Sequence, residues 1–98
     1  MPLPMDHHTN RAIITVLGSD RPGIVAAVAG VLAEQNVNIL DISQTILQEI
    51  FTMTMLVDLG QAQAEFAVLQ AQLDELSRTL GVQITMQREE VFKYMYRL

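Results

Sequence analysis

The chain has 98 residues, no cysteine and a formal net charge of −5 at pH 7. That length fits one domain, and the lack of cysteine excludes disulfides, thiolate nucleophiles and thiolate metal ligands. Only six lysines and arginines are present, spread along the chain, and they do not form the basic stripe that a nucleic-acid surface needs. Half of the residues are hydrophobic, which favours contact with a second subunit.

The longest strongly apolar stretch, residues 24–33, is about half as long as a membrane span, which needs roughly 20 residues. No cleavable leader is visible. We therefore expect a cytoplasmic protein that binds neither membranes nor nucleic acids.

The first half of the chain predicts two strands on either side of a helix, followed by a third strand. Residues 1–10 contain two prolines and no periodicity, which is typical of a flexible arm. The predicted elements that follow are a strand over 12–17, a helix over 24–35, a strand over 37–47 and, after a turn at 48–49, a strand over 50–59.

The second half predicts a helix, a strand and a tail. Leucines and a phenylalanine recur at spacings of three and four between residues 66 and 80, and Gly81 can end that helix. Residues 82–87 alternate between apolar and polar side chains, as in a half-buried strand. The tail, residues 88–98, is predicted to be a short helix whose apolar residues need cover from the open face of the sheet or from a neighbouring subunit.

The element order β-α-β-β-α-β predicts a ferredoxin-like α+β sandwich. Short connections and right-handed crossovers favour one antiparallel sheet of strand order 4-1-3-2, with both helices on one face. We expect the folded domain to span residues 11–87, between the arm (1–10) and the tail (88–98). Because this fold supports many functions, the function has to be argued from a site.

The most informative segment is the turn formed by residues 18–23, with the helix start at residues 24–25. Pro22 is suited to a first helical turn, and Asp20 can accept hydrogen bonds from the free N–H groups at the helix start. Gly18 and Gly23 allow a sharp turn and the close approach of a ligand. A helix start of this kind suits a small carboxylate, although an ordinary well-capped turn explains the same residues.

Other kinds of site fit the sequence poorly. Ile24 and Val25 stand where a phosphate-binding loop needs Lys and Ser or Thr, and the glycine spacing is not that of a dinucleotide site. His7 and His8 lie in the arm without fixed geometry, so we expect no metal site. Asp20 and Asp41 could form an acid/base pair, but no nucleophile accompanies them, and we expect no catalytic residues and no cofactor.

The run Gly18-Ser-Asp-Arg-Pro-Gly-Ile-Val25, followed by Asn36-Val-Asn-Ile39, resembles the ACT domain, a regulatory module that binds amino acids in many enzymes of amino-acid metabolism. The resemblance covers residues 12–87. Segments 42–45 and 51–53 look like those of small, uncharacterised, stand-alone ACT proteins of bacteria and archaea. The resemblance implies a ligand site formed by Gly18, Asp20, Arg21, Gly23, Ile24, Val25 and Asn38.

Two hypotheses follow. In the first, the protein is a homodimeric sensor in which the N–H groups of residues 23–25 bind the carboxylate of an amino acid, and Asp20 or Asn38 binds its ammonium group. In the second, it is a ligand-free dimeric module that docks on a partner protein. In either case we expect the dimer to form through the apolar edge strand, residues 37–47. In the first hypothesis the site is shared between the two subunits.

Overall fold

The structure, a computed structural model, describes residues 10–91. Its elements in chain order are β1 Arg11–Ser19, α1 Ile24–Glu34, β2 Asn38–Leu47, β3 Ile50–Asp58, α2 Phe66–Leu80 and β4 Gln83–Arg88. The four strands form one antiparallel sheet of order β2-β3-β1-β4. The predicted ferredoxin-like sandwich and its strand order are therefore confirmed.

Several element boundaries differ from the predictions by one or two residues. β1 continues to Ser19 because Gly18 and Ser19 still pair with β3. β2 begins at Asn38, and β4 begins at Gln83. Residues 89–91 are helical, but the rest of the predicted tail helix, residues 92–98, and residues 1–9 of the predicted arm lie outside the described residues.

The core lies between the sheet and the two helices, which cover the same face of it. Alternate strand residues point into this layer because side chains alternate across a strand. Its fully buried members from β1 and β3 are Ala12, Ile14, Val16, Met53, Met55 and Val57, and those from the helices are Val28, Leu32 and Leu69. Met53, Met55 and Met86 are thus core residues.

Residues in the left-handed backbone conformation lie in the turns that follow the two helices and in the turn of the β2–β3 hairpin. Gly81 ends α2 at a φ of 73°, as predicted, and donates its N–H to the carbonyl of Ser77 at 2.9 Å. Asn36, after α1, and Gln48, in the β2–β3 hairpin, have φ values of 59° and 58°. Asparagine tolerates this region better than most residues. These turns hold β2 at the free edge of the sheet, beside β3.

Candidate functional site

The turn from β1 to α1 is held by hydrogen bonds to two distant parts of the chain. The N–H of Asp20 donates to the carbonyl of Glu49 at 2.8 Å, so the turn lies against the β2–β3 hairpin. The Arg21 guanidinium donates to the carbonyl of Leu80 at 2.8 Å, at the end of α2. Arg21 therefore fixes the turn, and this bond uses part of its capacity to bind a ligand.

The start of α1 carries backbone N–H groups without partners. Gly23 is the N-cap residue with a φ of 90°, and its carbonyl accepts the first helical bond from Ala27 at 2.9 Å. No side chain caps this helix. Within residues 10–91, the N–H groups of Ile24 and Val25 therefore have no acceptor, as expected for a helix start.

One expectation about this helix start is wrong. Asp20 does not cap α1, because no side-chain hydrogen bond is made there. The predicted start of the helix at Ile24 is confirmed, and Pro22 directly precedes Gly23, the N-cap. Asp20 is exposed and precedes the uncapped, positive end of the helix in the chain.

Gly18 is explained by packing. It lies in β1, and a Cβ atom there would be 2.6 Å from Cγ1 of Val82. Only a residue without a side chain fits this close approach of β1 to the segment before β4. Gly23 differs, because a Cβ atom there would have no neighbour within 4 Å, and its requirement is the positive φ alone.

Asn38 is the first residue of β2 and is exposed. It lines a shallow depression of about 340 Å³ together with Asn36, Val37 and Gln61. The amide of Asn36 donates to the carbonyl of Gln61 at 3.0 Å, so this wall of the depression is fixed. The Asn38 amide can both donate to and accept from a ligand.

The turn and Asn38 lie at opposite ends of the sheet. Ser19 is paired with Ile50 at one end of β3, and Asn38 is paired with Asp58 at the other. Residues 50 and 58 are about 26 Å apart at 3.3 Å per residue. The structure therefore does not bring the predicted ligand-binding residues together within one protomer.

The carboxylates considered as an acid/base pair are also far apart. Asp41 is paired with Leu56, so it lies near the Asn38 end of the sheet, whereas Asp20 follows Ser19 at the other end. Asp41 is exposed and accepts the N–H of Ile42 at 2.8 Å. The two cannot act on one small substrate in a single protomer. His7 and His8 lie outside the described residues, and within residues 10–91 no three metal-ligating side chains cluster.

The ACT domain family model matches residues 10–87, which is all of the sandwich described above except Arg88, the last residue of β4. The chain belongs to the ACT domain family. The turn and helix start described above are thus the β1–α1 connection of an ACT domain.

Relatives of this ACT domain include proteins of archaea and bacteria. A UPF0237 protein of Methanocaldococcus jannaschii is 51% identical over 89 residues, which cover 91% of this chain and 99% of the relative. A solved structure of an ACT domain protein from Streptococcus pneumoniae has a TM-score of 0.74 and 44% identity, and covers 88% of this chain and 97% of that one. A third structure, of a protein proposed to be a glycine cleavage system transcriptional repressor, has a TM-score of 0.68 and 25% identity. That match covers 80% of this chain and 44% of the other.

Sequence reasoning missed two other features of this ACT domain. A depression of about 370 Å³ lies at the start of α2, where the Arg88 guanidinium is 4.5 Å from the centroid of the Phe66 ring. A groove of about 400 Å³ lies between α1 and α2, with Val31 and Val68 among its lining residues. Neither has a local sequence signal, since each joins residues that are distant in the chain. Within residues 10–91, no helix is long and apolar enough to cross a membrane.

Proposed function

We propose that this ACT domain is a non-catalytic, homodimeric regulatory protein of the cytoplasm that binds an amino acid in a site shared between subunits. The uncapped start of α1 is the observation that carries the proposal. Its N–H groups at Gly23, Ile24 and Val25, which no side chain caps, are suited to an α-carboxylate, and the exposed Asp20 carboxylate of the same turn would attract the ammonium group. The likeness to a proposed repressor of the glycine cleavage system supports a regulatory role.

The geometry of the sheet supports a shared site. A two-fold axis beside β2 would pair this strand with the β2 strand of a second copy, running in the opposite direction. Asn38 of the partner subunit would then lie near the Leu47 end of β2, the same end as the 18–23 turn. The bond from Asp20 to Glu49 holds the turn toward this edge. Asn38 of the partner subunit completes the site from the other side.

The surface of β2 favours such a dimer. Its backbone groups form a free sheet edge, which proteins seldom leave long, apolar and unpaired. The strand and its hairpin expose five large apolar side chains, with exposed fractions between 43% and 69%: Leu40, Ile42, Ile46, Leu47 and Ile50. Pairing of two β2 strands would satisfy the edge and cover part of this surface.

A thermal-shift series with the common amino acids tests binding. A ligand at 100 times its dissociation constant stabilises the folded state by about 2.7 kcal/mol, which raises the Tm of a domain of this size by roughly 10 °C or more. Asp20→Ala should abolish the shift. Asp74→Ala, which changes an exposed carboxylate on α2, should keep it. Sedimentation equilibrium of the unliganded protein tests the dimer.

Mixing two inactive variants tests whether the site is shared. Asp20→Ala and Asn38→Ala should each lose binding. A mixed dimer should recover one intact site of two, because one chain supplies Asp20 and the other supplies Asn38. Asn36→Ala is the control for Asn38→Ala, because Asn36 lines the same depression but bonds within its own chain. Failure of the mixed dimer to bind would mean that binding needs Asp20 and Asn38 from the same chain, and it would overturn the shared site.

One observation favours the second candidate, a ligand-free dimeric module that docks on a partner protein. Gly18 and Arg21 are each explained by contacts within the chain, with Val82 and with Leu80. If no amino acid shifts the Tm while the protein sediments as a dimer, the turn is a structural connection. The apolar surface of β2 then serves assembly alone.

A further inference from the structure

The groove between α1 and α2 combines an apolar lining with two carboxylates. Val31 of α1 and Val68 and Ala71 of α2 form the apolar part, around a space of about 400 Å³. Val68 is 49% exposed, so much of this lining is in contact with solvent. Glu34 and Glu75, both exposed, belong to the same lining. Such a groove suits a ligand that has both apolar and cationic parts.

The two glutamates lie toward opposite ends of the groove, because α1 and α2 run in opposite directions. The N–H of Gln63 donates to the carbonyl of Gln35 at 2.9 Å, so the end of α1 lies beside the segment that leads into α2. Glu34, the last residue of α1, is therefore near the start of α2. From Phe66, the first residue of α2, to Glu75 the helix rises about 13 Å. A ligand that contacts both carboxylates must span on the order of 10 Å.

The charges of the two helices favour a cation over a second copy of this surface. Within residues 10–91, the Glu34 carboxylate has no salt bridge or hydrogen bond. Glu75 pairs with Arg78 at 2.7 Å, but these side chains are 72% and 70% exposed. An ion pair so exposed contributes little stability, so a cationic ligand can replace Arg78 as the partner of Glu75. Two copies of the groove would bring like charges together.

Gln72 supplies a hydrogen-bond acceptor between the two ends. Its Oε1 atom is buried and has no donor within the described part of the chain, which costs free energy. The residue as a whole is half-buried and lines the groove, so rotation of its flexible side chain can turn the oxygen toward a ligand. An ammonium ion near the middle of the groove would provide the missing donor.

We propose that this groove binds an aliphatic polyamine, a chain of methylene groups with an ammonium ion at each end. The methylene chain lies on Val31 and Val68, and the terminal ammonium ions pair with Glu34 and Glu75. An internal ammonium ion donates to Gln72. A helix of a partner protein fits less well, because only about two of its turns would meet the groove. That contact is far smaller than the roughly 1,000 Å² of a specific protein interface.

Calorimetric titration with amines of different length tests this geometry. At constant ionic strength, spermidine and α,ω-diaminooctane should bind about fivefold more tightly than α,ω-diaminobutane, which is too short to reach both carboxylates. Octylamine, which has the length but one charge, should also bind about fivefold more weakly than diaminooctane. Equal affinities for the two diamines, or for diaminooctane and octylamine, would overturn the proposal, as would the absence of binding.

Matched carboxylate variants locate the bound amine. Glu34→Gln should raise the Kd for spermidine about fivefold. Asp74→Asn removes the same charge from an exposed position of α2 outside the groove lining, and should raise the Kd less than twofold. Equal effects of the two variants would reduce the binding to general attraction by an acidic protein and overturn the site.

Val68→Thr tests the apolar part of the site, because threonine keeps the shape of the side chain but adds a hydroxyl group. This variant should weaken the binding of diaminooctane about threefold and leave the sedimentation behaviour unchanged. If Val68→Thr instead reduced self-association without changing amine binding, the groove would be an interface between copies of the chain, and the polyamine site would be wrong.

Discussion

The two edge strands of the sheet, β2 and β4, face the same helical layer but are covered to very different degrees. Ile84 and Met86 of β4 are 6% and 4% exposed beneath the helices. Ile42 and Ile46 of β2 lie on the same side, opposite the buried Met55 and Phe51, yet they are 43% and 54% exposed. The core-facing side chains of β4 are covered by residues of their own chain, whereas Ile42 and Ile46 of β2 are not.

The cause of this difference lies in the helices. α1 buries a narrow stripe, Ile24, Val28 and Leu32, while α2 packs closely on β4. In β2, the side chain packed against this core among the described residues is that of Ile39, at the Asn38 end of the strand. The β2 edge, with its unpaired backbone and apolar side chains, is therefore where we expect a partner to bind. The nearby 18–23 turn places the candidate ligand site where binding and assembly can influence each other.

Matched isoleucine truncations test this comparison most strongly. Ile84→Ala should lower the free energy of unfolding by about 3 kcal/mol at any protein concentration, because it leaves a cavity in the core. Ile42→Ala should lower it by less than about 1 kcal/mol in the dilute monomer, because the side chain is already partly hydrated. In the proposed dimer, Ile42→Ala should also raise the dissociation constant.

Urea unfolding at two protein concentrations, with sedimentation equilibrium, measures both effects. Gln44 stands between Ile42 and Ile46 on the same side of β2, opposite Met53, and Gln44→Ala is the control for a change of strand residue without loss of an apolar contact. If the two isoleucine variants lost equal free energy of unfolding in the dilute monomer, Ile42 of β2 would be buried to the same degree as Ile84 of β4.

The sequence predicts the elements of both edges but not the contacts that separate them. Periodicity at Leu69 and Leu73, and alternation along β4, depend on neighbours in the chain, so these patterns were sufficient for the fold. The bond from Arg21 to Leu80 joins residues 59 positions apart. No local pattern indicates such a contact, because it exists only after the helices have packed.

For the candidate site, too, the sequence predicts local features but not the contacts between distant residues. The glycine and proline pattern indicated the turn, and Gly23 indeed has a positive φ. The pattern also suggested a cap from Asp20, which the structure does not form. The β1–α1 and α1–β2 connections lie at opposite ends of parallel strands, and for this reason we propose a site shared between subunits. Whether a second subunit brings them together depends on an interface that one chain does not contain.

A pair of arginine substitutions extends the comparison to charge. The Arg11–Glu89 pair at the β4 side is poorly exposed, at 23% and 6% of the side chains, whereas the Arg78–Glu75 pair on α2 is 70% and 72% exposed. Arg11→Ala leaves the Glu89 carboxylate buried without this partner and should cost about 2 kcal/mol, less than a fully buried pair. Arg78→Ala should cost less than about 0.5 kcal/mol.

Thermal and urea unfolding of both arginine variants measure these losses. Arg11→Lys separates charge from geometry, because lysine keeps the charge without the planar group. A loss for Arg11→Ala as small as that for Arg78→Ala would mean that water reaches the Glu89 carboxylate.

The smallest expected effects concern Gly23, the N-cap of α1, and Gly30 within that helix. Gly23→Ala puts a side chain at a φ of 90° and should lower the free energy of unfolding by about 1 kcal/mol, or roughly 4–8 °C in Tm. Gly30→Ala, in the middle of the helix with open space around it, should instead stabilise the protein by about 0.5–1 kcal/mol.

The same two variants distinguish an effect on ligand binding from an effect on the stability of the unliganded protein. In the proposed site, the carboxylate is held by N–H groups whose directions depend on the left-handed Gly23. Gly23→Ala should therefore reduce the amino-acid-induced rise in Tm, and Gly30→Ala should leave that rise intact, although the two shift the unliganded Tm in opposite directions. If Gly23→Ala lowers the unliganded Tm yet keeps the full ligand shift, the carboxylate is bound elsewhere, and the turn beside β2 serves only to start the helix.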